Sequence, residues 1–199
     1  ALTEMLDGIR ALPGVESVTL ARRVPLGIAT GNSSTSLEPE GYVAPKDQAA
    51  WAYLNWVGPD YFRTMGIPVM ARRDFTVSDR ASGPEVLVVN RSFAERYWPG
   101  QDPIGRRVRI GQNWYPVAGV VAGSKYRRLN EPRASFVYLS TTWNYRPDVT
   151  LQIRTTAAPE LLAAPMRDVV KRVDPKLPMF AVMTLDDQIR SASFQQRLA

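Results

Sequence analysis

Leu2, Met5, Leu6, Ile9 and Leu12 recur at three- and four-residue steps, the spacing of one apolar helix face. Thr3 is placed as its N-cap and Pro13-Gly14 as its stop. Val15, Val18, Leu20 and Val24 continue as a strand ending at Pro25. Residues 27–36 are rich in Gly, Ser, Thr and Asn and read as a loop entering a short strand over 35–38. Residues 41–50 form a second connector. Residues 51–57 alternate, yet both faces are largely apolar, which predicts a central strand covered on two sides. Pro59 is placed at the first position of a short helix, with Tyr61, Phe62 and Met65 on its buried side and Gly66 as its stop. Residues 67–71 are a further strand, assigned to an edge because Pro68 has no N–H to donate.

The polar stretch 76–84, with its Gly and Pro, marks a boundary. Residues 85–89 form a buried strand. Asn90 is placed as the N-cap of a helix that packs through Phe93, Ala94 and Tyr97 and stops at Pro99-Gly100. Residues 106–110 and 114–122 flank the turn 111–113 as a hairpin. A basic loop over 124–132 leads to a short strand at 135–139, and 141–147 is a second boundary. Residues 150–154 are a strand. Pro159 then opens a helix with the stripe Leu162, Met166, Val169, Val170 and Val173, in which Pro165 is a candidate bend. Asp174-Pro175 stops it, a strand follows at 179–183, and a last helix spans 185–198.

These elements predict an α+β fold in two parts. Residues 1–75 and 147–199 form one, and 76–146 are inserted as a smaller, mainly β unit with one helix. A weak echo supports the pairing of the chain ends: 9–18 and 170–179 each read helix end, stop, strand. Chance resemblance between ordinary helix stops accounts for it equally well.

Composition changes the picture by exclusion. The 199 residues contain no Cys and no His. Disulfide scaffolds and thiol chemistry are therefore excluded, and histidine triads and zinc sites lose their usual side chains. The net charge is +6, but the arginine pairs 22–23, 72–73, 106–107 and 127–128 are spread along the chain. That reads as a scattered basic surface, because nucleic-acid binders concentrate charge on one element. No apolar run approaches the roughly 20 residues of a membrane helix. With a helix pattern at each end and no leader pattern, the chain reads as a piece of a longer protein.

Candidate chemistry is sparse. Gly119 to Lys125 resembles a phosphate loop, but three residues separate Gly119 from Gly123 and the order is Ser-Lys. It reads as a strand ending in a basic turn. Asp74 and Asp79 bracket a loop that could attract a cation, although a hard-metal site wants more converging oxygens. Asp186-Asp187 fit the first turn of the last helix. No catalytic, cofactor or metal residues are assigned. Aromatic and basic residues interleave at Lys125, Tyr126, Arg127 and Arg128 and at Trp143, Tyr145 and Arg146. These seven are the candidate partner-contact surface; packing beneath a loop is the alternative for Trp143 and Tyr145.

The runs V-G-P-D-Y-F-R-T-M-G-I-P (57–68), R-D-F (73–75) and V-V-N-R-S-F-A-E-R-Y-W-P-G-Q-D-P-I-G-R-R (88–107) resemble the MacB-like periplasmic core domain. V-A-G-V-V (117–121), V-Y-L (137–139) and V-D-P-K-L-P (173–178) extend the likeness over essentially the whole chain. The resemblance implies an extracytoplasmic domain of a MacB/FtsX-type ABC transporter permease at the bacterial inner membrane. It implies a porter-like βαβ subdomain built from both chain ends and an inserted second subdomain. It implies no catalytic residues and no cofactor here, ATP being used by a separate nucleotide-binding domain or subunit. The implied partners are the permease membrane helices, that ATPase, a second permease copy and, in some relatives, a periplasmic adaptor; nucleic acid is not among them. The implied role is mechanotransmission in efflux or export. A free-standing periplasmic ligand-binding or adaptor protein is the rival reading.

Overall fold

In chain order the elements are α1 (Leu2–Arg10), β1 (Val15–Ala21), β2 (Ser34–Ser36), β3 (Glu38–Pro39), β4 (Trp51–Val57), α2 (Tyr61–Met65) and β5 (Val69–Arg72). They continue with β6 (Leu87–Asn90), α3 (Arg91–Tyr97), β7 (Arg107–Ile110), β8 (Asn113–Val121), β9 (Phe136–Ser140), β10 (Thr150–Thr155), α4 (Pro159–Val173) and α5 (Leu185–Arg197). The computed structural model describes residues 2–25, 34–46, 48–76, 79, 85–124, 133–143, 148–177 and 182–197, the last six as backbone only. Among them the strands make one mixed sheet in the order β10-β1-β4-β9-β6-β8-β7-β3, with β2 beside β4 and β5 beside β8. This is the α+β class read from the sequence.

The two halves of the chain meet at the β10 edge. β1 and β10 run antiparallel from Val15↔Thr155 to Ala21↔Thr150. α1 packs against α4, and Met5, Ile9, Val18, Leu162, Met166, Val169 and Val170 close a separate core with these strands. Gly8 permits the close approach, since a Cβ there would lie 2.8 Å from Val169 Cγ1. The two helices of the sequence echo are thus neighbours. Its second strand, expected at 179–183, falls largely outside the described residues, and Val182 and Met183 carry no strand.

The middle of the sheet is covered on both faces, as the two-sided pattern of residues 51–57 requires. Ala52, Leu54, Trp56, Leu87, Val89, Val137 and Leu139 meet Phe93, Tyr97 and Trp98 on one face. Val57, Val88, Val121, Phe136 and Tyr138 meet Tyr61, Phe62 and Phe75 on the other. The two-residue period of a strand sends neighbours to opposite sides. Burying each such large side chain contributes roughly 1.5–3 kcal/mol before entropy is counted.

Asn90 fastens this body. Its Oδ1 accepts the Phe93 N–H at 3.0 Å, capping α3, and the Phe136 N–H at 3.0 Å from β9. Its Nδ2 donates to the Ala134 carbonyl at 2.8 Å. The expected N-cap therefore also ties two strands together.

Several boundaries differ from the sequence reading. Thr3 lies inside α1, which already starts at Leu2. Pro59 sits in a turn before α2, because Asp60 takes a left-handed conformation (φ 62°) that no continuous helix contains. β1 ends at Ala21: the Arg22 N–H still reaches the Trp56 carbonyl at 2.9 Å, but the following amide, that of Arg23, is received by the Asn55 side chain and not by a backbone ladder. The strand expected at 35–38 divides at buried Leu37, so that β2 pairs with β4 and β3 with β7. α4 runs through Pro165 without interruption.

Strands on either side of position 75 pair directly: β4 with β9, β3 with β7 and β5 with β8. β1, by contrast, pairs with β4 only at Ala21↔Val57. That narrow contact is bridged by α2. Thr64 Oγ1 of α2 is hydrogen-bonded to Ser17 Oγ of β1 at 3.0 Å, and Arg154 Nε of β10 donates to the Thr64 carbonyl at 2.9 Å.

Candidate functional site

Of the seven residues picked out as a contact surface, only Trp143 lies among the described residues; Lys125, Tyr126, Arg127, Arg128, Tyr145 and Arg146 lie outside them. Trp143 is half-buried, and its indole Nε1 is enclosed with no hydrogen-bond acceptor among the described residues. Nearby, Thr142 N–H donates to Ser140 Oγ at 3.2 Å.

A different aromatic and arginine surface lies at the β3–β7 edge, opposite the chain-end layer. Two antiparallel strands place Glu38 across from Arg109 and bring Glu40 beside Arg107. Arg107 Nη2 donates to Glu40 Oε1 at 2.7 Å, while its N–H donates to Glu40 Oε2 at 3.0 Å. Those bonds hold the Glu40 carboxyl below the ordinary range. Arg109 forks onto Glu38 through its Nε and Nη2. The Arg107 guanidinium also lies 5.3 Å over Trp114. Beside these pairs is an open concavity of about 800 Å³, lined in part by Leu37, Tyr42, Val43, Ala50, Arg109 and Trp114. Val43 is 89% exposed and Trp114 43%. The surface offers apolar contact beside two ion pairs that neutralise each other's charges, which suits a protein partner better than an anionic polymer. The alternation of 106–110 marks its strand, but nothing local reveals that Glu38 and Glu40 complete it.

The other candidate residues are absorbed by the fold. Asp79 receives Arg73 through two bonds, Nη1 to Oδ2 at 2.9 Å and Nη2 to Oδ1 at 2.7 Å. Asp74 accepts the Phe75 N–H at 2.6 Å. Burial pushes its carboxyl up to about 6, aided by the Asp60 and Asp79 charges and opposed by the Phe75 and Phe62 amides. Among the described residues no group of three His, Cys, Asp or Glu is placed to hold a metal ion. Gly119 belongs to β8, where the Arg73 carbonyl occupies the place of a Cβ, so it is no phosphate loop. Tyr97 OH is locked to Trp51, donating to its carbonyl at 2.7 Å and accepting its N–H at 3.0 Å; burial raises its pKa.

Comparison with known proteins gives one family match, the MacB-like periplasmic core domain, over residues 2–197. No curated protein matches. Among solved structures, the periplasmic region of MacB from Actinobacillus actinomycetemcomitans is similar at 17% identity and TM-score 0.62, covering 98% of this chain and 81% of that one. The extracellular domain of the noncanonic ABC-type transporter YknZ from Gram-positive bacteria is similar at 16% identity and TM-score 0.60, covering 91% and 88%. A domain of a permease protein from Porphyromonas gingivalis gives 17% and 0.54, covering 92% and 83%.

Proposed function

The chain belongs to the MacB-like periplasmic core domains of ABC-type transporter permeases, and from that premise we propose that it carries movement rather than chemistry. Nucleotide-driven motion of the parent permease enters at the chain-end layer of α1, β1, β10 and α4. It leaves at the β3–β7 edge, where a neighbouring permease copy, an adaptor or cargo is contacted. The observation that carries this reading is the contrast in strand pairing: six paired positions join β1 to β10, while one joins β1 to β4. A stiff layer is thereby attached to a stiff, doubly covered body through a narrow, side-chain-pinned joint.

The division of the chain into 1–75 with 147–199 and an inserted 76–146 is part of the proposal, as a statement of how the sequence is interrupted. The mechanical line drawn from strand pairing runs between β1 and β4. The interleaved residues at 125–128 and 143–146 are proposed as a further contact strip. Efflux or export, placement on the periplasmic side of the inner membrane, and a paired ATPase follow the same premise. The isolated chain is expected to show no hydrolase, transferase or ATPase turnover, and turnover abolished by a point substitution would refute that.

The parent reading frame gives the first test. One membrane-spanning segment before Ala1 and three after Ala199 support the permease reading. An uninterrupted soluble protein removes it.

A further inference from the structure

Where β1 meets β4, the two sides of the sheet are covered differently. On the α2 side the apolar core runs straight across the seam. Ala21 of β1 packs in one cluster with Val57 of β4, Tyr61 and Phe62 of α2 and Tyr138 of β9. A buried polar bond reinforces it: Thr64 Oγ1 and Ser17 Oγ are 3.0 Å apart, and both residues are buried. The turn before α2 is pressed against β1, since a Cβ on Gly58 would stand 3.1 Å from Thr19 Oγ1 and 3.3 Å from the Leu20 nitrogen.

On the opposite side the core is interrupted. The two-residue period of a strand turns Val18 and Arg22 to that side, away from Ala21. Val18 belongs to the cluster closed by α1 and α4, whereas Trp56 belongs to the cluster closed by α3. Among the described residues these two clusters share no member. The Arg22 side chain crosses between them. Its Nε donates to Asp148 Oδ2, just before β10, at 2.6 Å, and its guanidinium lies 5.1 Å over the Trp56 ring. The Arg22 and Asp148 side chains are 30% and 53% exposed. An exposed ion pair and a cation–π contact at the surface yield easily, whereas buried apolar contacts and buried hydrogen bonds resist separation.

We propose that the β1–β4 joint is a one-sided hinge, with its spine along the α2 side and Arg22 as a clasp on the other. Bending then swings α4 and α3 apart or together, while α2 stays fixed to β1. With the seam taken as the joint of the proposed function, the asymmetry supplies a direction of bending and a catch that holds the joint shut. Salt loosens the catch by screening the Arg22–Asp148 pair and leaves the buried spine in place.

The test is a pulsed spin-label distance measurement on the chain, which has no cysteine of its own. One label pair spans the clasp side, Glu95→Cys on α3 with Arg167→Cys on α4. The other spans the spine, Arg63→Cys on α2 with Glu16→Cys on β1; all four positions are exposed. Each pair is measured in the native background at low and high salt, in Arg22→Ala and in Asp148→Asn. The clasp-side distribution is expected to widen at least two-fold in both variants and at high salt, while the spine distribution keeps its width. A clasp-side width unchanged in both variants, or a spine that widens as much as the clasp side, would overturn the hinge. These distances are read without nucleotide or membrane. A parent transporter that ignores ATP would therefore refute the transport reading and leave the hinge standing, whereas an idle clasp beside nucleotide-driven movement would refute the hinge alone.

Discussion

Asn55 holds the backbone of Arg23 from both sides: its Oδ1 accepts the Arg23 N–H at 2.9 Å and its Nδ2 donates to the Arg23 carbonyl at 3.2 Å. The Asn55 side chain is wholly buried. It continues the junction between β1 and β4 beyond Ala21↔Val57, where the ladder stops. The backbone bonds on either side, Arg22 N–H to Trp56 O at 2.9 Å and Gly58 N–H to Leu20 O at 2.7 Å, complete the joint.

Asn55→Ala should therefore cost about 2–4 kcal/mol, because it strands two buried backbone groups rather than merely deleting a contact. Equilibrium denaturation checks this. The native denaturant slope should be retained, with only the midpoint lowered.

Asn90→Ala should cost about 3 kcal/mol, since three partners on α3, β9 and the preceding loop lose one side chain. Asn90→Ser should recover about 1 kcal/mol, the ordinary worth of an N-cap, because a serine hydroxyl reaches Phe93 but not Phe136. Equal losses in the two variants would show that the strand ties, not the cap, carry the effect.

Two glycines make a contrast. A Cβ on Gly119 would sit 2.2 Å from the Arg73 carbonyl oxygen, so Gly119→Ala should displace β5 from β8 and cost about 3 kcal/mol or more. Gly111 turns the β7–β8 hairpin at φ 62° with open space around it. Gly111→Ala should cost about 1 kcal/mol, from backbone conformation alone. Thermal midpoints of the two variants decide the order.

Asp79 titrates in the opposite sense to Asp74. Its bonds from Arg73 and the Thr76 N–H hold it below the ordinary 3.8, against burial, which acts the other way. Its stabilising effect is present above pH 4 and lost as pH falls below that. Asp79→Asn should cost about 1 kcal/mol at pH 7, a modest figure because Arg73 is half exposed to solvent. The difference from the native chain should shrink towards zero below pH 3, as followed by denaturation at several pH values.

Residues 51–57 and Asn90 show what a sequence makes legible. Two apolar faces in one alternating run can only be a covered strand, and Asn before Arg-Ser-Phe is a local cap signal. The α+β class and the family resemblance followed from such local patterns. The seam did not, because it depends on strand order: that β4 lies between β1 and β9 is a matter of pairing across 36 residues on one side and 83 on the other. The Glu38–Arg109 and Glu40–Arg107 pairs were hidden for the same reason, at sequence separations of 71 and 67. Asp74 reads as half of a cation site because its spacing from Asp79 is visible, whereas the Arg73 fork on Asp79 and the Phe75 amide on Asp74 are not.

In the proposed mechanism, movement crosses the Asn55 joint from α4 to the opposite edge. The chain contains no cysteine, so single spin labels at Glu160→Cys on α4 and Gln112→Cys in the β7–β8 turn meet no competing thiol within it. The decisive measurement is the distance between the Gln112→Cys labels of two permease copies in the parent transporter, with and without ATP. This distance should shift with nucleotide along with that at Glu160→Cys, and Asn55→Ala should keep the shift at 160 while broadening or abolishing it at 112. A distance at 112 that stays the same in every nucleotide state of the native transporter would contradict that mechanism.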